Sequence, residues 1–110
     1  MKVMGVRDGA ALTLTLFGCD AIDAANAAQV KREALQLLGE SPNIVFDLSG
    51  VAFLDSAGVS VLVGLFKHAR GRGGRVRFCG LTPGVRSVLE LIQLDRIFEI
   101  YDDAETAVRA

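Results

Sequence analysis

Two short segments hold the residues whose types and spacing point to chemistry. Leu54-Asp55-Ser56-Ala57-Gly58 sets a carboxylate and a hydroxyl side by side just ahead of a long helical pattern, and Ile22-Asp23-Ala24-Ala25-Asn26 sets another carboxylate ahead of an earlier one. Ser and Asp there suit helix capping, because their oxygens accept hydrogen bonds from the unpaired N–H groups of the first turn. A helix start also tolerates an added anion, since those N–H groups and the positive end of the dipole face it. On the first of these grounds Asp23, Asp55 and Ser56 are candidate caps. The helix that follows carries a feature capping does not explain. At about 100° per residue, Ser56, Ser60, Gly64 and Lys67 fall along one stripe bordered by Ala57 and Val61. Small residues in a row let another protein's backbone come close, and a glycine inside a helix costs about 1 kcal/mol relative to alanine. Val59, Leu62, Val63 and Phe66 are expected to face a sheet. Val61 and Leu65 are expected to be exposed, marking either a homodimer contact or a partner site.

Other chemistries fit less well. His68 is the sole histidine and follows Ser56 by twelve residues on one helix, about 18 Å away at 1.5 Å per residue. That exceeds any proton transfer, and no Gly-x-Ser-x-Gly elbow is present, so a hydrolase is set aside and a non-enzyme expected. Arg70-Gly71-Arg72-Gly73-Gly74-Arg75 follows a helix and lacks the Lys-Ser/Thr of a phosphate-binding loop, which makes it a helix end and turn. Cys19 and Cys79 have no metal-ligand spacing and are expected to be reduced thiols. No metal or cofactor is implied. With 12 Lys+Arg against 13 Asp+Glu, the net charge of −1 offers no surplus for a nucleic-acid backbone. The apolar run Val59–Phe66 is far shorter than the roughly 20 residues that span a bilayer. Met1–Asp8 lacks the apolar centre of a signal peptide, so a cytoplasmic protein without membrane insertion is expected.

The elements that must position these residues can be read from periodicity. Leu12, Leu14 and Leu16 alternate with Thr13 and Thr15, the period of a strand with one buried side, and Val3–Arg7 can pair with it across Asp8-Gly9. Asp23–Leu38 reads as a helix with Ala27, Val30, Ala34 and Leu38 (or Leu37) at helical spacing and Gly39 as its stop. Ile44–Leu48 is a nearly continuous apolar run, broken only by Asp47, suited to a central strand covered on both faces. Ser56 to about Arg70 is the second helix, Val76–Cys79 a strand, and Thr82-Pro83 the cap and first turn of a third helix bearing Val85, Val88, Leu89 and Ile92. Ile97–Ile100 reads as a last strand. Asp102 and Glu105 resemble a capping box for a terminal helix with Ala104, Ala107 and Val108. After an opening hairpin this is a series of β-α units, predicting one α/β domain over residues 1–110 with a mostly parallel sheet. If the strands are parallel neighbours, Asp23, Asp55 and Ser56 share one edge.

The stretch Asp47–Gly64, DLSGVAFLDSAGVSVLVG, resembles the signature of bacterial STAS domains, specifically the anti-sigma factor antagonists. The likeness continues through Gly73–Val76, Cys79–Pro83 and Leu94–Phe98, and includes Ile22-Asp23. It implies a sheet of about five strands with four helices, and a partner-switching regulator of transcription. In that family the serine after the aspartate is phosphorylated by an anti-sigma factor that is itself a serine kinase, and a PP2C-type phosphatase reverses it. The unphosphorylated form binds the anti-sigma factor and frees the sigma factor. Carried over by motif, Ser56 is the phosphorylation site. Asp23, Asp55, Ala57, Gly58, Ser60, Val61 and Gly64 are the partner-binding residues. The chain departs from the family at Ala57, where Ser or Thr is usual, at Val59-Ser60 in place of Leu-Gly, and at the longer turn Gly18–Ala21. Those departures keep a second family role in play, a STAS subunit docked on a transporter ATPase without obligatory phosphorylation.

Overall fold

A computed structural model describes residues 1–39 and 41–110. The strands of its main sheet are β1 (Lys2–Asp8), β2 (Ala11–Phe17), β4 (Asn43–Asp47), β6 (Arg75–Cys79) and β7 (Glu99–Tyr101), with two short strands, β3 (Ala21–Ile22) and β5 (Phe53–Leu54), outside it. The helices are α1 (Ala27–Leu38), α2 (Ser56–Gly71), α3 (Pro83–Leu91) and α4 (Ala104–Arg109), with a 3-10 turn at Leu94–Arg96. The five-stranded sheet runs β1-β2-β4-β6-β7. β1 and β2 form the expected antiparallel hairpin, closed where Asp8 faces Ala11, and every later pair is parallel. This is the α/β fold that the order of elements predicts.

β4 is central, and Ile44, Val45 and Phe46 are fully buried because helices cover both its faces. Ile44 and Phe46 join the larger core with Val30, Ala34 and Leu38 of α1 and Leu62, Leu65 and Ala69 of α2. Val45 points the other way, into a small cluster with Ala11, Cys79 and Ala107 of α4. Phe78 stacks its ring 4.6 Å from that of Phe98, tying β6 to the segment before β7.

Arg77 is the one charged residue in the described core, 5% exposed and on the α4 face of β6. Among the described residues no side-chain carboxylate bonds to it. Its Nη1 instead donates to the carbonyls of Ala107 at 2.6 Å and Ala110 at 3.1 Å, at the negative end of α4. Burial pulls its pKa below the usual arginine range. Neighbouring Arg75 pairs with Glu99 across β6 and β7.

Four expectations need correction. α1 starts at Ala27, because Asp23–Asn26 is a hydrogen-bonded turn in which Asn26 and Ala27 N–H both reach the carbonyl of Asp23. The last strand is Glu99–Tyr101, because the N–H groups of Ile97 and Phe98 turn back to the carbonyl of Leu94 in the preceding 3-10 turn. The α4 cap is Asp103, which accepts from Thr106 N–H at 2.8 Å, one residue beyond the box expected at Asp102 and Glu105. The inward face of α2 is Gly58, Val61, Leu62, Leu65 and Ala69, with Val59, Val63 and Phe66 only half-buried. Val61 and Leu65, expected to be exposed, are 3% and 0% exposed and cannot form a self-contact.

The two thiols differ in setting. Cys79 is buried under α4, and loss of hydration pushes its pKa up to about 12, whereas Cys19 is partly exposed. Because the thiolate is the reactive form, an alkylating reagent near pH 8 is expected to label Cys19 in the folded protein. Cys79 is expected to react far more slowly in the folded protein and readily only in denaturant. Intact mass before and after unfolding reads this directly; equal labelling of both thiols in the native state would refute it.

Candidate functional site

The site is aligned by a feature that periodicity does not reveal. β3 and β5 pair in parallel, Ala21 with Phe53 and Ile22 with Leu54. Asp23 and Asp55 each follow the second residue of that ladder, so the pairing sets the two acids side by side where α1 and α2 begin. Asp55 then joins both starts. Its Oδ1 accepts from Gly58 N–H at 2.9 Å, capping α2, and its Oδ2 accepts from Ala24 N–H at 3.0 Å, in the turn ahead of α1. Asp23 closes its own turn, accepting from Ala25 N–H at 3.0 Å. Asn26 holds the turn from below, accepting from Asp23 N–H at 3.0 Å and donating to the Ala21 carbonyl at 2.8 Å. The sequence pattern marks Asn26 only as a residue at a helix entry; its bonding role requires the longer turn before Asp23 to be in place.

Ser56 is the first residue of α2 and is exposed, while its carbonyl accepts the Ser60 hydroxyl at 3.0 Å. A shallow groove lies on each side. One, about 390 Å³, is lined by Leu54, Asp55, Ser56, Val59, Val88 and Ile92, between α2 and α3. The other, about 290 Å³, is lined by Ala27, Ala28, Lys31, Ala57, Ser60 and Val61, between α1 and α2. Asp23, Asp55, Ser56, Ala57, Ser60 and Gly64 are all at least partly accessible. Gly58 and Val61 are not, and this corrects the expected docking stripe. A β-carbon on Gly58 would lie 2.1 Å from the Ile22 carbonyl oxygen, so this glycine serves the contact between α2 and β3. Gly64 faces the Lys31 side chain of α1.

The hydrogen bond from Gly58 is the largest influence on Asp55, and with that from Ala24 it holds the pKa below the usual aspartate range against the opposing effect of lost hydration. A carboxyl depressed on folding stabilises the folded state above its unfolded pKa, and that stability fades as pH falls through the folded value. The advantage of the native protein over Asp55→Asn is therefore expected to be full near pH 6 and to shrink as the pH falls below about 4. Urea unfolding of both proteins across that range is the check; a gap that does not change with pH would refute the capping role.

With this geometry in view, the family can be stated. A family model for the STAS domain matches residues 3–107. The anti-sigma-B factor antagonist of Listeria monocytogenes is 36% identical over 89 residues, 79% of this chain and 77% of the relative. The anti-sigma F factor antagonist of Paenibacillus polymyxa is 33% identical over 66 residues, 60% of this chain and just over half, 56%, of that relative. The crystal structure of a candidate anti-sigma factor antagonist from Thermotoga maritima superposes with a TM-score of 0.85 at 26% identity, covering 97% of this chain and 92% of that one. The chain belongs to the STAS domain family and, within it, to the anti-sigma factor antagonists. No described helix is long and apolar enough to cross a membrane.

Proposed function

We propose that the chain is a phosphorylation-controlled partner switch. Unphosphorylated, it binds an anti-sigma factor of the serine-kinase type and releases the sigma factor. Modification of Ser56 ends that binding, and a PP2C-type phosphatase restores it. The observation that carries this reading is the position of Ser56, an exposed hydroxyl at the first residue of α2, directly after Asp55 and on the groove between α2 and α3. Relatives named as anti-sigma factor antagonists support the choice of partner.

In the transfer step the Ser56 hydroxyl oxygen attacks the terminal phosphorus of ATP held by the kinase. The oxygen loses its proton and ADP departs. In the reverse direction water attacks the phosphoserine, giving back the hydroxyl and inorganic phosphate. The product carries about −1.5 to −2 charges at neutral pH, placed at a helix start where N–H groups and the dipole receive an anion well. Folding is retained. A protein surface closing over Ser56 meets a hydrated dianion next to Asp55 and Asp23, and removing its water without a paired cation costs several kcal/mol. Asp23, Asp55, Ala57, Ser60 and Gly64 form the proposed contact surface around it.

Intact mass and peptide mapping of protein taken from its own cells test the switch. A phosphate on the Asp55-Ser56 peptide under some growth or stress condition is expected. Ser56 unmodified under every condition would overturn the switch and favour a constitutive docking subunit, such as one on a transporter ATPase.

A further inference from the structure

We infer that the free edge of β1 pairs with β1 of a second copy of this chain, giving a two-fold dimer with Gly5 at its axis. β1 is the outermost strand of the sheet, seven residues long, and no strand pairs with its far side, where the Val3 N–H alone is taken by Glu33. Such an edge displays a row of backbone donors and acceptors, and proteins that keep it single blunt it with charged side chains, proline, a bulge or a covering element. Here the middle is Met4-Gly5-Val6, with Met4 44% and Val6 66% exposed.

The pattern of charges selects the partner. In an antiparallel pair centred on Gly5, Lys2 lies opposite Asp8 of the second copy, Met4 opposite Val6, and Val3 opposite Arg7. Both ends of the contact thus join opposite charges, and the middle joins apolar side chains. Among the described residues none of Lys2, Arg7 or Asp8 forms an ion pair within the chain.

Backbone directions agree with this register. The hairpin closes on the Asp8–Ala11 pair, so the even-numbered residues of β1 bond to β2 and the odd-numbered ones face outward. Val3 confirms the alternation, since its N–H turns away from β2 to the Glu33 carboxylate of α1 at 3.0 Å. Gly5 can then exchange bonds with Gly5 of the second copy, and Arg7 N–H can reach the Val3 carbonyl. Lys2–Asp8 and Met4–Val6 fall at non-hydrogen-bonded positions, where side chains come closest. Arg7 of the second copy lands over Val3, above a groove of about 570 Å³ lined in part by Val3, Arg32, Glu33, Gln36 and Leu37. Glu33 supplies an acceptor for its guanidinium there.

Sedimentation of the full chain tests the dimer. Wild type is expected to show a reversible monomer–dimer equilibrium between about 10 and 300 µM. Asp8→Lys sets lysine against lysine and is expected to weaken association at least about tenfold. The double exchange Lys2→Asp with Asp8→Lys restores the pairing and is expected to recover it. Val6→Lys, at an exposed position, provides an independent disruption if Asp8→Lys disturbs the hairpin turn, and circular dichroism reports folding in each case. A wild type that stays monomeric throughout, or a dimer indifferent to both Asp8→Lys and Val6→Lys, would overturn the inference.

Discussion

Ser56→Asp is expected to bind the anti-sigma partner about 100-fold more weakly than wild type or worse, while its thermal midpoint stays close to the native one. Two effects with different sites of action explain the separation. Within the chain, a carboxylate at the first residue of α2 meets the favourable end of the helix dipole, so folding loses little. In the complex, the same carboxylate has to give up its water between Asp55 and Asp23. An unpaired buried charge costs several kcal/mol, and each 1.4 kcal/mol is tenfold in affinity. Phosphoserine carries more charge than aspartate and is expected to act more strongly. Ser56→Ala removes the acceptor oxygen without adding charge and is expected to bind like wild type and to resist modification. Titration calorimetry with the kinase-type anti-sigma factor, beside thermal melts, measures both quantities. Equal binding by all three proteins would mean that Ser56 lies outside the contact.

The largest expected effect on stability is at Gly58. Alanine is a better helix former than glycine by about 1 kcal/mol, so propensity alone predicts a gain. The added β-carbon, however, would sit 2.1 Å from the Ile22 carbonyl oxygen, 3.0 Å from its carbon and 3.1 Å from the Leu54 side chain. Two of these are backbone atoms of β3, which cannot swing aside, so α2 and β3 have to separate. Gly58→Ala is expected to lose about 2 kcal/mol or more in urea unfolding. It should also weaken partner binding, because the Gly58 N–H is what orients Asp55. Gly64→Ala is the control on the same helix. There the β-carbon meets only the flexible end of Lys31 at 3.3 Å. The propensity gain then prevails, and stability is expected to hold or rise by up to about 1 kcal/mol. If the two variants behaved alike, close packing of α2 on β3 would not be the reason for glycine at 58.

The elements with a strong period were legible before any coordinates. The alternation of Leu12, Leu14 and Leu16 marks β2, the run Ile44–Leu48 marks a strand covered on both faces, and Thr82-Pro83 marks the start of α3. β3 and β5 escape because two residues cannot show a period, although their pairing is what aligns Asp23 with Asp55. The orientation of α2 escapes for another reason. Val59, Val61, Leu62, Val63, Leu65 and Phe66 spread over about 200° of the helix at 100° per residue, an apolar arc wider than the face that is buried. The contact of Gly58 with Ile22 decides which side turns inward, and that places Val61 and Leu65 in the core. Arg77 is hidden by its setting, since a lone arginine within Val76–Cys79 gives no sign that its guanidinium will be received by the carbonyls of a helix some thirty residues later. The site's acids and serine were visible as residue types; the turn built by Asn26 was not.

The slender attachment of α4 has a kinetic meaning. This six-residue helix buries only Ala107 and is fastened to the sheet by the Arg77 bonds. Segments with so little buried area open locally at a fraction of the free energy of global unfolding. Each opening would uncover Cys79, which otherwise lies sealed beneath Ala107. The rate at which that thiol is modified in the native protein therefore acts as a clock for the detachment of α4, running independently of whether the rest of the domain, Ser56 included, stays folded.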